Sequence, residues 1–263
     1  LSAAVSLSHR EVKQAVKEGL GGEGMGAAVV AALFTGYDYE ICWVGDSRAY
    51  LWDGELAQLT RDHSHIEELL ARGEISWEEA QTSSARNVIT QAVGASEMSA
   101  LDVGSVRGTL SSGQELLLCS DGLNDALSGQ TLAEILNSEA NAGKRCEQLV
   151  SAAVKAGGKD NITALLITPD AGAPLAATAK PQAVSISRLD GVVEYFPLSG
   201  EQLDEPDLES IPRPSSARNK VGADTGIPWL RTDSAFANSV YFGLSLGALV
   251  AAVLLILQWL WPS

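Results

Sequence analysis

Four aspartates stand where a carboxylate is costly unless something positive meets it. Asp121 follows the apolar run ELLLCS, and Asp125 comes four residues later within CSDGLNDAL, residues 119–127. Asp46 ends YEICWVGD, and Asp160 immediately precedes NITALLIT after Gly157 and Gly158. Asp46, Asp121 and Asp160 share one context: the edge of an apolar, strand-like run, beside Ser47, Ser120 or Asn161. Strand edges hold carboxylates rigidly, and glycines let the backbone come close. Gathered carboxylates repel one another unless a hard divalent cation lies among them, and Mg²⁺ or Mn²⁺ suits such oxygen donors. Taken singly, each Asp reads more simply as a turn or cap residue, and spacing alone does not bring the three together. His63, in RDHSH, is a candidate general acid, although a lone loop histidine more often caps or packs.

The elements that must position these residues can be read from periodicity. SHREVKQAVKEGL, 8–20, spaces Val12, Ala15, Val16 and Leu20 along one helical face. AAVVAALFTG, 27–36, and YEICWVG, 39–45, read as neighbouring buried strands. SRAYLW, 47–52, and ELAQLT, 55–60, are joined by Asp53 and Gly54, a strong hairpin signal. Residues 65–82 read as helical with a break at Gly73. Strands are predicted at 100–107, 115–120 and 161–168, and amphipathic helices at 131–139 and 144–157. Hairpin signals dominate, which predicts an α+β fold of antiparallel sheets with helices packed outside.

The chain has 263 residues, 46% of them apolar, and a net charge of -15. Residues 1–170 hold 24 of the 33 acids and 12 of the 18 bases, so the acidity is concentrated there. That argues against a nucleic-acid partner, which needs a basic footprint, and is compatible with a site that concentrates cations. Cys42, Cys119 and Cys146 form no CxxC pair and cannot all be bridged; a reducing compartment is the simplest inference.

Residues 171–238 read as a flexible linker interrupted by Pro174, Pro181, Pro197, Pro206, Pro212, Pro214 and Pro228. Within it, 183–198 has the pattern of a short hairpin about Asp190 and Gly191. Residues 239–261 carry no charge, with Tyr241 and Phe242 at one end and Trp259 and Trp261 at the other. As a helix at about 1.5 Å per residue they reach roughly 34 Å, enough for a hydrocarbon core of roughly 30 Å. A single C-terminal transmembrane helix in contact with membrane lipid is therefore predicted. Arg213, Arg218, Lys220 and Arg231 precede it, which places residues 1–170 in the cytoplasm.

Five segments in order resemble the metal-dependent protein phosphatases of the PPM, or PP2C, type in their bacterial form. They are VGDSRAYLWDGELAQLTRDHS at 44–64, GEI at 73–75, RNVITQAVGA at 86–95, LLLCSDGLNDAL at 116–127 and GGKDNITALLI at 157–167. The resemblance implies an α-β-β-α sandwich over residues 1–170 and a cleft holding two Mn²⁺ or Mg²⁺ ions, with a possible third. It implies hydrolysis of phosphoserine and phosphothreonine in phosphorylated proteins, the substrates of a Ser/Thr kinase, by a metal-activated water. On the matching motifs, Asp121 and Asp160 correspond to ligands of the core metals, and Asp46 and Asp125 to acids of a third, weaker site. The helical segment 65–82 resembles the family's variable flap beside the cleft.

The family's first metal motif, an Asp-Gly-x-Gly-Gly segment well before GDSR, has no counterpart here. GGEGMGAA, 21–28, lies too close to Asp46 and has Glu23 where Asp is expected. The phosphatase domain is therefore expected to be incomplete at its N-terminus, and the chain, which begins with Leu1, to be a piece of a complete phosphatase with weak or absent activity. The alternative is a pseudophosphatase that binds phosphoproteins or partners without hydrolysis.

Overall fold

Period-two burial in the strands builds the architecture of the computed structural model, which describes residues 1–95, 100–175, 183–196 and 251–256. In β2 (Asp38–Val44), Tyr39, Ile41 and Trp43 face one core while Cys42 and Val44 face another. In β3 (Arg48–Trp52), Ala49 and Leu51 face the first core while Tyr50 and Trp52 face a third. In β6 (Glu115–Cys119), Leu116 and Leu118 point one way, Leu117 and Cys119 the other. Strands apolar on both faces must be covered on both sides, which requires layers of helices outside two stacked sheets.

The first sheet runs β10 (Ala251–Ile256), β1 (Ala28–Thr35), β2, β5 (Gly104–Thr109). The second runs β7 (Ala164–Ile167), β6, β3, β4 (Leu56–Gln58), β8 (Ser185–Ser187), β9 (Val193–Tyr195). Every pairing is antiparallel. Between the sheets lie Val30, Phe34, Ile41, Leu51, Leu116 and Leu118 with their neighbours. Helix α1 (Ser2–Lys17) covers the first sheet through Val5. Helices α4 (Asp121–Ala126), α5 (Gly129–Leu136) and α6 (Ala142–Lys155) cover the second through Leu123, Leu132, Leu136 and Leu149. Leu149 and Leu117 are fully buried, and truncating either to Ala would cost about 2–5 kcal/mol. Helices α2 (His65–Ala71) and α3 (Trp77–Thr82) stand apart from these layers. Each starts at a serine cap, and Ser76 forms a reciprocal capping box with Glu79.

The α+β class and the antiparallel sheets are as the sequence predicts. Some elements differ. Helix α1 begins earlier than the predicted 8–20, because Val5 adds a further apolar turn toward Val29 and Val44. The strand predicted at 100–107 is β5, shifted toward Thr109 by its register with Asp38. The stretch predicted as linker contains β8 and β9, the hairpin the pattern allowed, and it is built onto β4 rather than being free. Within the predicted linker 171–238, residues 176–182 and 197–238 lie outside the described residues.

The predicted transmembrane helix 239–261 lies mostly outside the described residues too. Its residues Ala251–Ile256 are a strand, not a helix: they pair with β1 from Ala28↔Ile256 to Leu33↔Ala251. A short apolar run fits either element by periodicity, and the outer edge of β1 supplies backbone groups that need partners. Among the described residues no helix is long and apolar enough to cross a membrane.

Candidate functional site

Gly45 turns the chain out of β2, and Asp46 follows it as the backbone crosses toward β3 in the second sheet. Gly45 has φ +99°, and a Cβ there would lie 2.7 Å from the Cβ of Ala28. Only glycine takes that conformation against that neighbour. The turn is clamped by His63: the Gly45 N–H donates to His63 Nδ1 at 3.2 Å, and the His63 N–H donates to the Gly45 carbonyl at 2.9 Å. His63 is absent from the described residues lining the cavity below, and burial lowers its pKa. Its ring positions the turn that presents Asp46.

Asp121 opens α4 directly after β6. Ser120 ties this junction to the loop before β7: its hydroxyl donates to the Asn161 carbonyl at 2.8 Å and accepts from the Thr163 N–H at 2.9 Å. Gly122 permits the approach, since a Cβ there would meet the Asn161 carbonyl oxygen at 2.6 Å. The motifs SDG and KDN, distant in sequence, thus lie against one another through backbone. Asp121 accepts from the Gly122 N–H at 2.8 Å, and Asp160 from the Asn161 N–H at 2.6 Å. Asp125, one turn along α4, is exposed and accepts from Asn87 Nδ2 at 2.7 Å.

Asp46, Asp121 and Asp125 line one cavity of about 470 Å³. Asp160 is exposed and is not among its lining residues, so the structure brings three of the four predicted acids together. Asp46 is 9% exposed, and its Oδ1 has no hydrogen-bond partner. Burial first, then the charges of Asp121 and Asp62, push its carboxyl up to about 7.

Three residues of the site, Arg48, Asp62 and Glu67, escaped the sequence reading. Arg48 donates to both oxygens of Asp62, Nε to Oδ1 at 2.9 Å and Nη2 to Oδ2 at 2.7 Å, and through Nη1 to the Tyr50 hydroxyl at 3.2 Å. Both Arg48 and Asp62 line the cavity. The signal was present in the predicted β3–β4 hairpin: Tyr50 faces Gln58, so continuing the ladder carries Arg48 toward Thr60 and Asp62. Glu67, buried on α2 behind its cap, also lines the cavity and carries no motif.

Comparison with known proteins decides what this arrangement is related to. No family model matches the chain. The serine/threonine phosphatase Stp of Listeria monocytogenes is 38% identical over 148 residues, 56% of this chain and 58% of the relative. The phosphatase PhpP of Streptococcus pneumoniae is 43% identical over 126 residues, 48% of this chain and 50% of the relative. The crystal structure of Mycobacterium tuberculosis PstP/Ppp superposes with a TM-score of 0.54 at 34% identity, over 59% of this chain and 64% of that one. The chain is homologous to the bacterial PPM-type serine/threonine phosphatases. It spans about half the length of the Stp and PhpP relatives. The Streptococcus agalactiae serine/threonine phosphatase, at TM-score 0.55 and 30% identity over 60% of this chain and 64% of that one, extends the same likeness. The α+β fold with antiparallel sheets is the fold of these PPM phosphatases.

The site fits a metal ion in part. A buried carboxylate oxygen without a partner, beside a second acid that repels it, calls for a cation. Mg²⁺ is commonly held by one or two carboxylates, with waters completing its shell, and Asp46 with Asp121 meets that demand for one ion. Among the described residues, no group of three or more His, Cys, Asp or Glu side chains is placed to hold a metal. The two-ion centre expected from the resemblance is therefore not assembled by those residues.

Proposed function

We propose that the chain contributes the cleft of a protein phosphatase acting on phosphoserine and phosphothreonine. The observation that carries this reading is Asp46: buried, unpartnered at Oδ1, and set beside Asp121 in a cavity between motifs shared with PPM phosphatases. Mn²⁺ or Mg²⁺ held by Asp46 and Asp121 would offset phosphoryl charge and acidify a water. The chain's own residues do the rest. Arg48 fixes Asp62 in the cavity wall, His63 holds the Gly45 turn, and Ser120 locks the two acidic loops together. Asn87 orients Asp125 at the rim.

A second reading follows from the lack of any three-acid group among the described residues: a pseudophosphatase that binds a phosphorylated protein without turning it over. Titration with Mn²⁺ and a phosphothreonine peptide separates the two. Slow, Mn²⁺-dependent release of phosphate that disappears in Asp121→Asn supports the phosphatase. Mn²⁺-dependent peptide binding without release supports the binding module, and failure of both overturns both readings.

We further infer a membrane tether in the uncharged run 239–261, with the phosphatase domain on the cytoplasmic side. Six of those residues form β10 here, so span and strand compete for the same segment. Deleting 239–263 should move the protein to the soluble fraction; continued membrane association counts against the tether.

A further inference from the structure

Strand alternation puts two serines where an apolar core would otherwise continue. In β8, Ile186 faces the layer between the sheets, so Ser185 and Ser187 face the other way, toward the helices. Their partners on β4 are Gln58 and Leu56, and Leu56 packs in one cluster with Leu132 of α5. Apolar residues at 185 and 187 would extend that cluster. Instead both serines are buried, 6% and 9% exposed, and line the cavity with hydroxyls that make no hydrogen bond among the described residues. Buried hydroxyls are ordinarily paired, so two that open unpaired onto a cavity point to something that fills it.

The start of α5 lies against them. Ser128 caps the helix, its Oγ accepting from the Thr131 N–H at 3.2 Å. The N–H groups of Gly129 and Gln130 precede the first residue that can bond within the helix, and neither has an acceptor among the described residues. A Cβ on Gly129 would lie 2.4 Å from Ser187 Oγ and 3.0 Å from Ser187 Cβ, so the hydroxyl is the part of Ser187 aimed at the helix start. Glycine leaves the gap between them open. Gly129 and Gln130 line the cavity together with Ser185 and Ser187. Arg188, next in the chain, lines it too, but it is held between Glu55 at 3.2 Å and Glu194 at 2.6 Å and brings no net positive charge. What remains is two N–H groups at the positive end of a helix dipole and two hydroxyls free to donate, a donor set that suits a tetrahedral oxyanion.

We propose that the start of α5 and the outward face of β8 form a binding site for a phosphoryl oxyanion, built from elements other than those that carry Asp46 and Asp121. Its occupant is either a second phosphorylated residue of a bound protein or free inorganic phosphate. The first source rests on the phosphatase reading, whereas the site itself does not.

The test uses the full chain. In chelator the acids Asp46 and Asp121 repel phosphate, so titration of nitrogen-15-labelled protein with inorganic phosphate at constant ionic strength reads the α5 site alone. The amide resonances of Gly129 and Gln130 should shift saturably, and chloride should not reproduce the shift. Ser185→Ala and Ser187→Ala should each weaken phosphate about fivefold, and Gly129→Ala, whose methyl fills the gap, at least about tenfold. Hydrogen exchange across 129–136 without phosphate should match the parent in the serine variants, so that their loss reads missing donors rather than an unseated helix. If Gly129→Ala unseats α5, the serine variants decide. Shifts that chloride reproduces, or an affinity unchanged in all three variants, overturn the site. Fluorescence anisotropy with Mn²⁺ then separates the two sources, comparing a phosphothreonine peptide with the same peptide carrying a second phosphoserine. A preference of about tenfold for the doubly phosphorylated peptide, lost in Ser187→Ala, assigns the site to the substrate. Phosphate binding without that preference overturns the substrate source and leaves free phosphate as the occupant. If the parent binds neither peptide, the phosphatase reading fails, while the phosphate titration still decides the site.

Discussion

Asp46 and Glu67 are buried acids lining the same cavity, and their surroundings treat them differently. Burial raises the pKa of both, and negative neighbours raise it further: Asp121 then Asp62 for Asp46, Asp62 for Glu67. Glu67 has answers to that cost. The Tyr195 hydroxyl donates to it, Arg61 Nε lies 3.7 Å away, and its own N–H is capped by Ser64. Asp46 keeps an oxygen with no partner. On the function proposed above, the difference separates an acid that holds the fold from one that awaits a ligand. A buried carboxylate that is fully met holds the fold together, whereas one left unmet weakens the fold and indicates a ligand.

The largest expected effect is at Asp46. In metal-free protein its folded pKa of about 7 exceeds the ordinary carboxylate value. Below pH 4 both folded and unfolded forms are protonated, and the site costs nothing. Between about pH 4 and 7 the unfolded chain ionises first, so stability falls as pH rises, and above 7 the penalty is complete. It amounts to at most about 4 kcal/mol. Asp46→Asn should therefore stabilise metal-free protein by up to that amount at pH 8 and by only about 1 kcal/mol at pH 4.5, as read by urea denaturation at both values. Equal effects at the two pH values would mean that the carboxyl is not buried in charged form. Mn²⁺ at about a hundredfold its dissociation constant should restore about 2.7 kcal/mol to the parent and much less to Asp46→Asn. Thermal shift with and without chelator measures this, and an equal shift in both proteins removes Asp46 from the metal site.

How far this contrast was legible beforehand depended on chain locality. Asp46 and Asp121 were found because each adjoins a buried strand with a readable pattern, and Asp125 because it falls in the family-like segment CSDGLNDAL. Their convergence was not, since it depends on β3 pairing with β6 at Arg48↔Cys119, residues far apart in the chain. The alternation in β2, β3 and β6 showed two-sided burial, and with it the layered fold. Glu67 was invisible: its hydrogen-bond partner is Tyr195, 128 residues away, in a stretch whose prolines read as linker. Ala251–Ile256 are six apolar residues whose pattern satisfies a strand as well as part of a membrane span, and in the structure they pair with β1.

Glu67→Gln probes the opposite side of the contrast, and its effect should have the opposite sign. The amide can still accept from Tyr195, but the neutral side chain leaves Arg61 without its compensating charge and adds a buried donor. A loss of about 1–3 kcal/mol is expected at pH 7 in metal-free protein. Stabilisation, as for Asp46→Asn, would show that the two acids are equivalent and that the contrast between them is wrong.

The smallest effect tests whether the two walls are independent. Ser64 Oγ accepts from the Glu67 N–H at 3.3 Å, and Ser64→Ala leaves that buried donor unmet at the start of a seven-residue helix. The cost is about 1 kcal/mol, concentrated in α2 because so short a helix has little else to hold its first turn. Urea denaturation should register that loss, and exchange should rise in 65–71. The Mn²⁺-induced thermal shift should stay that of the parent, because Asp46 is held by Gly45 and His63 rather than by α2. If the Mn²⁺ shift falls along with the cap, the helical wall and the acidic corner move as one body. Glu67 would then be part of the metal site's support, and its satisfied hydrogen bonds would serve the chemistry as well as the fold.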